Sequence, residues 1–265
     1  MKPGVLYFVL LLLLSIFTSC DEIFNVDIVG DGNLKTESRA NEIGNFQGIY
    51  LDAGFELHIS QSLANDLVIE TDSNLMTYIV TEVNNGILEI SEKNNFSIIS
   101  RKSVQIFLTV ASELSLIEVL NGGKVIIDTI QSPQLDINVY DVSQVKGAYI
   151  DCKEFNVFAE GSTNLQLNGN FGQLLVHQVG SGNLYINGLA GNGNVVLEGS
   201  GKISARELMM TDGDVRLYGS GLVFCRVSGL LETLIVGNGR IYYYGKPENV
   251  IKNISGEGLV LPADD

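Results

Sequence analysis

A turn that returns every nineteen or twenty residues limits what this chain can fold into more than any other feature. Its first positions are Asn121, Asp141, Gly161, Gly180, Gly199, Gly219, Gly237 and Gly256, at spacings of 20, 20, 19, 19, 20, 18 and 19. Clear examples are "GSGNLYING" from Gly180, "GSGKISARE" from Gly199 and "GSGLVFCRV" from Gly219. Weaker ones are "NGGKVII" at Asn121, "DVSQVKG" at Asp141 and "GSTNLQL" at Gly161. A constant period of this length marks a repeat architecture.

Four residues past each turn position stand Val125, Val145, Leu165, Leu184, Ile203, Val223, Ile241 and Val260, all aliphatic. Two further on are Ile127, Gly147, Leu167, Ile186, Ala205, Cys225, Tyr243 and Pro262, and the residues between are mixed in polarity. Alternation with period two is a half-buried strand. A second alternating stretch closes most units, as in "LDINV", "FNVFA" and "DVRLY". A unit this short cannot bury its own apolar face, but stacked coils can, with strands pairing rung to rung at about 4.8 Å. The expectation is an all-β protein, a single-stranded β-helix (β-solenoid) with about 19 residues per coil. The corners at Asp141 and Gly161 lack the full glycine pattern and are expected to be looser or differently shaped.

The glycines do not read as a phosphate cradle. Such glycines occur once, ahead of a helix, whereas these recur ahead of strands. "GRIYYYGKP" has five residues between its glycines where a Walker motif has four, and Pro247 where Ser or Thr should bind magnesium.

Residues 46–120 also read as strands, in "FQGIYL", "FELHIS", "DLVIE", "ILEIS" with its "NNG" turn, and "SVQIFLTV". "DSNLMTYI" reads as one short helical turn. This part should begin the same sheet system and cap the first full coil, giving a domain over 46–265 with repeat coils from 121. The polar, Gly- and Asn-rich stretch 20–45 reads as a tether.

"MKPGVLYFVLLLLLSIFTSC" has Lys2, an apolar run from Val5 to Leu14 and small residues before Cys20, the layout of a leader over 1–19. The run is too short to span a membrane as a helix. Cys20 after "FTS" resembles a lipobox cysteine, with Phe17 where leucine is usual. The expectation is a bacterial lipoprotein acylated at Cys20; an ordinary signal peptide and a short uncleaved anchor are the alternatives.

Losing residues 1–19 removes one lysine and no acid, taking the net charge from −15 to −16. Such a chain is a poor partner for nucleic acid, which needs clustered Lys and Arg. Anionic headgroups would repel it, so membrane attachment should come from the lipid on Cys20. Cys152 and Cys225 fall about four rungs apart at different places in their coils. That puts them about 19 Å apart along the axis, too far for a disulfide. Two cysteines and two histidines so scattered make no zinc pattern, and no cofactor is expected.

The order of a lipoprotein leader, "FQGIYLDAGFELHIS", "NNGILEI", "VQIFLTVASELSLIEVLNGGKV" and "GSG" turns ending in "GNGRIYYYGKP" resembles the head GIN domain family of adhesins. This family is common among Bacteroidetes-type lipoproteins. The resemblance covers about residues 46–247. It implies a right-handed β-helix in an envelope or surface protein and no catalytic residue, and "adhesin" is itself a label by analogy.

Counting back five from each turn gives Asp136, Asn156, Leu175, Asn194, Asp214, Glu232 and Ile251. Asp214 and Glu232 would then stand one rung apart, near the separation that retaining glycosidases use, though the short unit after Gly219 leaves that register open. Solvated surface acids are the simpler reading. His177 falls in an outward column between Phe158 and Val196 with no acid in matching positions, and His58 should face solvent. "DGD" at 212–214 reads as a turn.

Tyr185, Phe224 and Tyr242, with Tyr244 and Arg226 just beyond, would stack outward as an aromatic ladder beside Arg206. Such a ladder could dock sugars. It could equally stabilise the sheet or lie beneath the segment after Pro247. The expected protein is a non-enzymatic, lipid-anchored envelope scaffold or adhesin with a glycan or surface-protein ligand, an outer-membrane lipoprotein whose membrane face is open. The rivals are a carbohydrate-active enzyme and a periplasmic structural or signalling lipoprotein.

Overall fold

The computed structural model describes residues 25–264, so the leader and Cys20 lie outside the described residues. The amino-terminal part holds β1 (Val26–Val29), β2 (Leu34–Ser38), β3 (Gly48–Asp52), β4 (Glu56–Gln61) and β5 (Asp66–Asp72). It continues with a 3-10 turn at Met76–Tyr78, then β6 (Ile79–Asn84), β7 (Ile87–Glu92), β8 (Phe96–Ile99), β9 (Gln105–Val110) and β10 (Leu116–Leu120). The next five strands each run round nearly a whole coil: β11 (Lys124–Asp141), β12 (Gln144–Gly161), β13 (Asn164–Gly180), β14 (Asn183–Gly199) and β15 (Lys202–Gly219). The following coils are divided into β16 (Leu222–Val227) with β17 (Leu230–Gly237), and β18 (Arg240–Tyr244) with β19 (Asn249–Ser255). After them comes β20 (Leu259–Pro262). All strands but β1 and β8 join one sheet of 18. The whole is a right-handed β-solenoid of about 7 turns.

The coils stack because their apolar positions fall in register. Val125, Val145, Leu165, Leu184, Ile203, Val223, Ile241 and Val260 pair residue to residue along the axis. All eight are buried. Each contributes on the order of 2 kcal/mol by leaving water, which a single coil could not obtain.

The corners explain the glycines. All eight turn positions have positive φ, from 52° at Asn121 and 63° at Asp141 to between 101° and 127° at the six glycines. Asn and Asp tolerate the left-handed region, and the larger angles belong to glycine. A Cβ on Gly161 would also sit 2.6 Å from the Asp141 carbonyl oxygen. The early corners are therefore not looser. Ser162 N–H donates to Asp141 O at 2.7 Å, matching Ser181 N–H to Gly161 O at 3.0 Å. The difference lies in the next positions but one, where Ser143 and Thr163 replace glycine and bury hydroxyls that have no hydrogen-bond partner among the described residues.

The stretch read as a tether is, over 26–39, part of the fold. β1 pairs in parallel with β8, and β2 pairs antiparallel with β5. Just after β2, the buried Arg39 donates from Nη1 to Ile79 O at 2.8 Å and from Nη2 to Met76 O at 2.9 Å. These carbonyls belong to the 3-10 turn that closes the amino-terminal end, where Leu75 and Met76 are buried. The guanidinium adds to the backbone bond that Met76 O already receives from Ile79 N–H, and its fork ties the turn to the start of the next strand. Asp72 fixes the preceding loop by accepting from Gly32 N–H at 2.9 Å and Arg101 N–H at 3.0 Å. The strands expected between 46 and 110 form, and the helical turn falls at Met76–Tyr78.

At the other end, one inward column runs Ile117, Ile137, Val157, Val176, Val195, Val215, Thr233 and Lys252. Thr233 Oγ1 donates to Ile251 O at 2.9 Å, and Lys252 Nζ donates to Val260 O at 3.0 Å. The Lys252 ammonium also lies 5.2 Å from the Tyr243 ring centre.

Candidate functional site: an aromatic and cationic strip opposed by an acidic trough

Two surface features stand out on the late coils. The first is on the initial strand of each coil, where Lys146, Gln166, Tyr185, Ser204, Phe224, Tyr242 and Leu261 stack in one outward column. Phe224 and Tyr242 are parallel, with ring centres 5.2 Å apart and planes at 12°. Ser204 breaks the ladder that the repeat implies. Lys202, from the neighbouring column, reaches over the gap, and its ammonium lies 5.2 Å from both the Tyr185 and Phe224 rings. Cation–π contact of this kind holds a charge in place while leaving it partly hydrated. Tyr185 is 36% exposed. Leu261 of β20 extends the column, so the segment after Pro247 continues the coil instead of covering the rings.

Two of the expected strip residues sit differently. Tyr244 is only 7% exposed and is not a surface ring. The Arg206 guanidinium lies 4.7 Å from its centre and that of Arg226 5.8 Å. Arg226 Nε donates to Arg206 O at 2.9 Å. These arginines come together because the register shifts between Ala205 and Met209, which pushes Arg206 and Glu207 outward. The sequence carried a sign of this in the 18-residue spacing after Gly219.

The second feature is a groove of about 480 Å³ on the later half of the coils. One wall is the column Glu154, Gln173, Asn192, Asp212, and the other is Asn156, Leu175, Asn194, Asp214, Glu232. Its floor is lowered where Gly193 and Gly213 replace the apolar residues of their column. The register counted from the sequence holds, and Asp214 pairs directly with Glu232. Asp214 is gripped by its own strand, accepting from Arg216 Nε at 3.1 Å and Nη2 at 2.7 Å. Glu232 stands exposed, whereas a general acid is normally set in a desolvated pocket. "DGD" at 212–214 lies within β15 and is not a turn, because Gly213 occupies an inward position.

His177 does fall between Phe158 and Val196. A carboxylate reaches it nonetheless: Glu198 Oε1 is 3.0 Å from Nε2, a contact made diagonally across rungs that a count of columns misses. His58 stacks on Phe107 at 4.9 Å and meets Glu56 at 2.9 Å. Lys124, then His58, hold the Glu56 carboxyl below its ordinary range despite partial burial. Cys152 and Cys225 are free and buried, in different columns. Burial pushes both thiols up to about 12, so neither forms a thiolate at neutral pH.

The fold defines the class: a β-solenoid of about seven turns with repeated outward columns. The chain belongs to the family described as "Putative auto-transporter adhesin, head GIN domain", which it matches over residues 45–186 and 170–247. Several solved structures share the fold. A "putative adhesin" from Parabacteroides merdae has a TM-score of 0.82 at 21% identity, covering 90% of this chain and 99% of that one. A "Putative lipid binding protein" from Parabacteroides distasonis has a TM-score of 0.79 at 23% identity, covering 89% and 99%. No curated protein matches.

Proposed function

We propose that this chain is a non-catalytic adhesin of the bacterial envelope, held to a membrane by a lipid on Cys20, that binds glycan through the strip of its late coils. The observation that carries the reading is the parallel Phe224–Tyr242 pair on the surface of a rigid sheet. Sugar C–H groups can pack along the outward edges of such a stack, and a solenoid holds those edges at fixed spacing without an ordering cost on binding. The family match and the leader before Cys20 support the envelope setting.

The test is saturable binding of the folded domain to an oligosaccharide array. Tyr242→Ala should weaken binding by about tenfold or more at unchanged circular dichroism. No saturable binding to any sugar would remove the reading. For the anchor, Cys20→Ser should abolish acyl-chain labelling and shift the protein from the membrane fraction to the soluble one. A second reading, a carbohydrate-active enzyme, draws on the Asp214–Glu232 pairing in the groove. Polysaccharide turnover lost in both Asp214→Asn and Glu232→Gln would favour it.

A further inference from the structure

The charges of the late coils are sorted by strand. Of the seven Lys and Arg side chains between residues 180 and 262, Lys202, Arg206, Arg226 and Arg240 lie on the initial strands, with Glu207 as the single acid there. The later strands and the groove collect Glu198, Asp212, Asp214 and Glu232, with Arg216 paired to Asp214 and Lys252 at the last rung. A chain of net charge −15 thus reverses its sign locally around the rings.

The positions of these cations matter as much as their number. Lys202 fills the rung that Ser204 leaves vacant, between Tyr185 and Phe224. Arg240 follows Lys202 and Leu222 in the column beside the rings, and it is exposed. Arg206 and Arg226 are braced on Tyr244, and Arg226 is further fixed by its bond to Arg206 O. Glu207 meets Arg206 only at 3.5 Å, with side chains 67% and 45% exposed. An exposed pair at that distance contributes little and leaves the guanidinium able to take another partner.

Extended along the solenoid axis, the strip therefore offers stacked rings flanked by held cations. We propose that its ligand is an anionic polysaccharide, one whose rings carry carboxylate or sulfate groups. Sugar C–H groups pack along the outward edges of the Tyr185, Phe224 and Tyr242 rings, whose faces are taken up by one another and by Lys202, while the acidic groups meet Lys202 and Arg240. Charge-assisted bonds to such groups are the stronger class of hydrogen bond, and Arg matches planar oxyanions in particular. Long-range repulsion from the acidic remainder is screened beyond about 8 Å at physiological ionic strength, so the contact charges decide. The proposal rests on the strip being the glycan-binding face.

The experiment uses an array of matched pairs, each acidic oligosaccharide beside its methyl-esterified or desulfated form: oligogalacturonate, hyaluronan fragments and sulfated dextran among them. Only acidic members should bind. Binding should weaken as sodium chloride is raised, and Lys202→Gln and Arg240→Gln should each weaken it about tenfold while the fold is unchanged. Tyr242→Ala should weaken binding to the same members, which separates ring docking from bare ion exchange. Equal binding of the neutral members, lost in Tyr242→Ala, would overturn the anionic assignment and leave the strip reading standing. Binding to no member, or binding indifferent to all three substitutions, would remove both. Equal binding to phosphatidylglycerol vesicles with the same losses would assign the strip to a lipid surface and overturn the carbohydrate.

Discussion

At its amino-terminal end the solenoid is closed by antiparallel strands, a 3-10 turn and a buried arginine, whereas at its last full rung an inward column ends on Lys252, which is exposed along with Ile251 and Ile254. Both ends must deal with a sheet edge whose unpaired backbone groups would template another chain. One end covers the edge. The other makes it uninviting, by letting the inward column pass from valine to Thr233 to Lys252. Inward-pointing charge is a known guard against edge pairing, since a second sheet laid there would bury an ammonium. The difference shows that a repeat needs distinct terminal chemistry, because the coils themselves are equally ready to stack on anything.

Three substitutions probe this contrast. The largest effect should come from Arg39→Ala, which removes the donors to the carbonyls of Met76 and Ile79 and to Thr81 Oγ1 and should cost about 2 kcal/mol. Urea denaturation measures it, and a loss under about 1 kcal/mol would mean that the arginine is not the closure it looks to be. Next, Lys252→Val should leave the unfolding midpoint nearly unchanged but raise the associated fraction above that of the parent at equal concentration. Sedimentation velocity would show this, and no added association would leave the guarding role without support.

The smallest effect should come from Glu92, on β7 near the closed end. Burial, with Asp52 adding to it, lifts this carboxyl above its usual 4.5 against the N–H of Ile98. The folded state therefore keeps a proton that the unfolded chain has released. Ionisation costs stability above that range and nothing below it. Glu92→Gln should raise the thermal midpoint at neutral pH, and the gain should fade as pH falls through the raised folded value and be gone below 4.5. A gain independent of pH would point to packing instead.

Much of this was legible in the sequence because a solenoid repeats its local rules. The eight turn positions, the inward aliphatics, the Asp214–Glu232 pairing and the outward column through Tyr242 all follow from counting. Counting failed where the period is interrupted or where contacts cross rungs. Arg39 sits in a polar stretch before the repeat, and nothing local marks it as buried. Tyr244 lies where the register has shifted, so its expected exposure became 7% under Arg206 and Arg226. Glu198 reaches His177 by a diagonal.

The sequence by itself determined the period, the inward and outward alternation and the left-handed corners. Each of these depends on a residue and its neighbours within one coil. Only the tertiary structure decided which charges gather, which tyrosine is buried and how the ends are closed. Those depend on residues separated by one or more coils that meet only when the rungs are stacked, and a local shift of register re-aims the side chains within it before the columns realign.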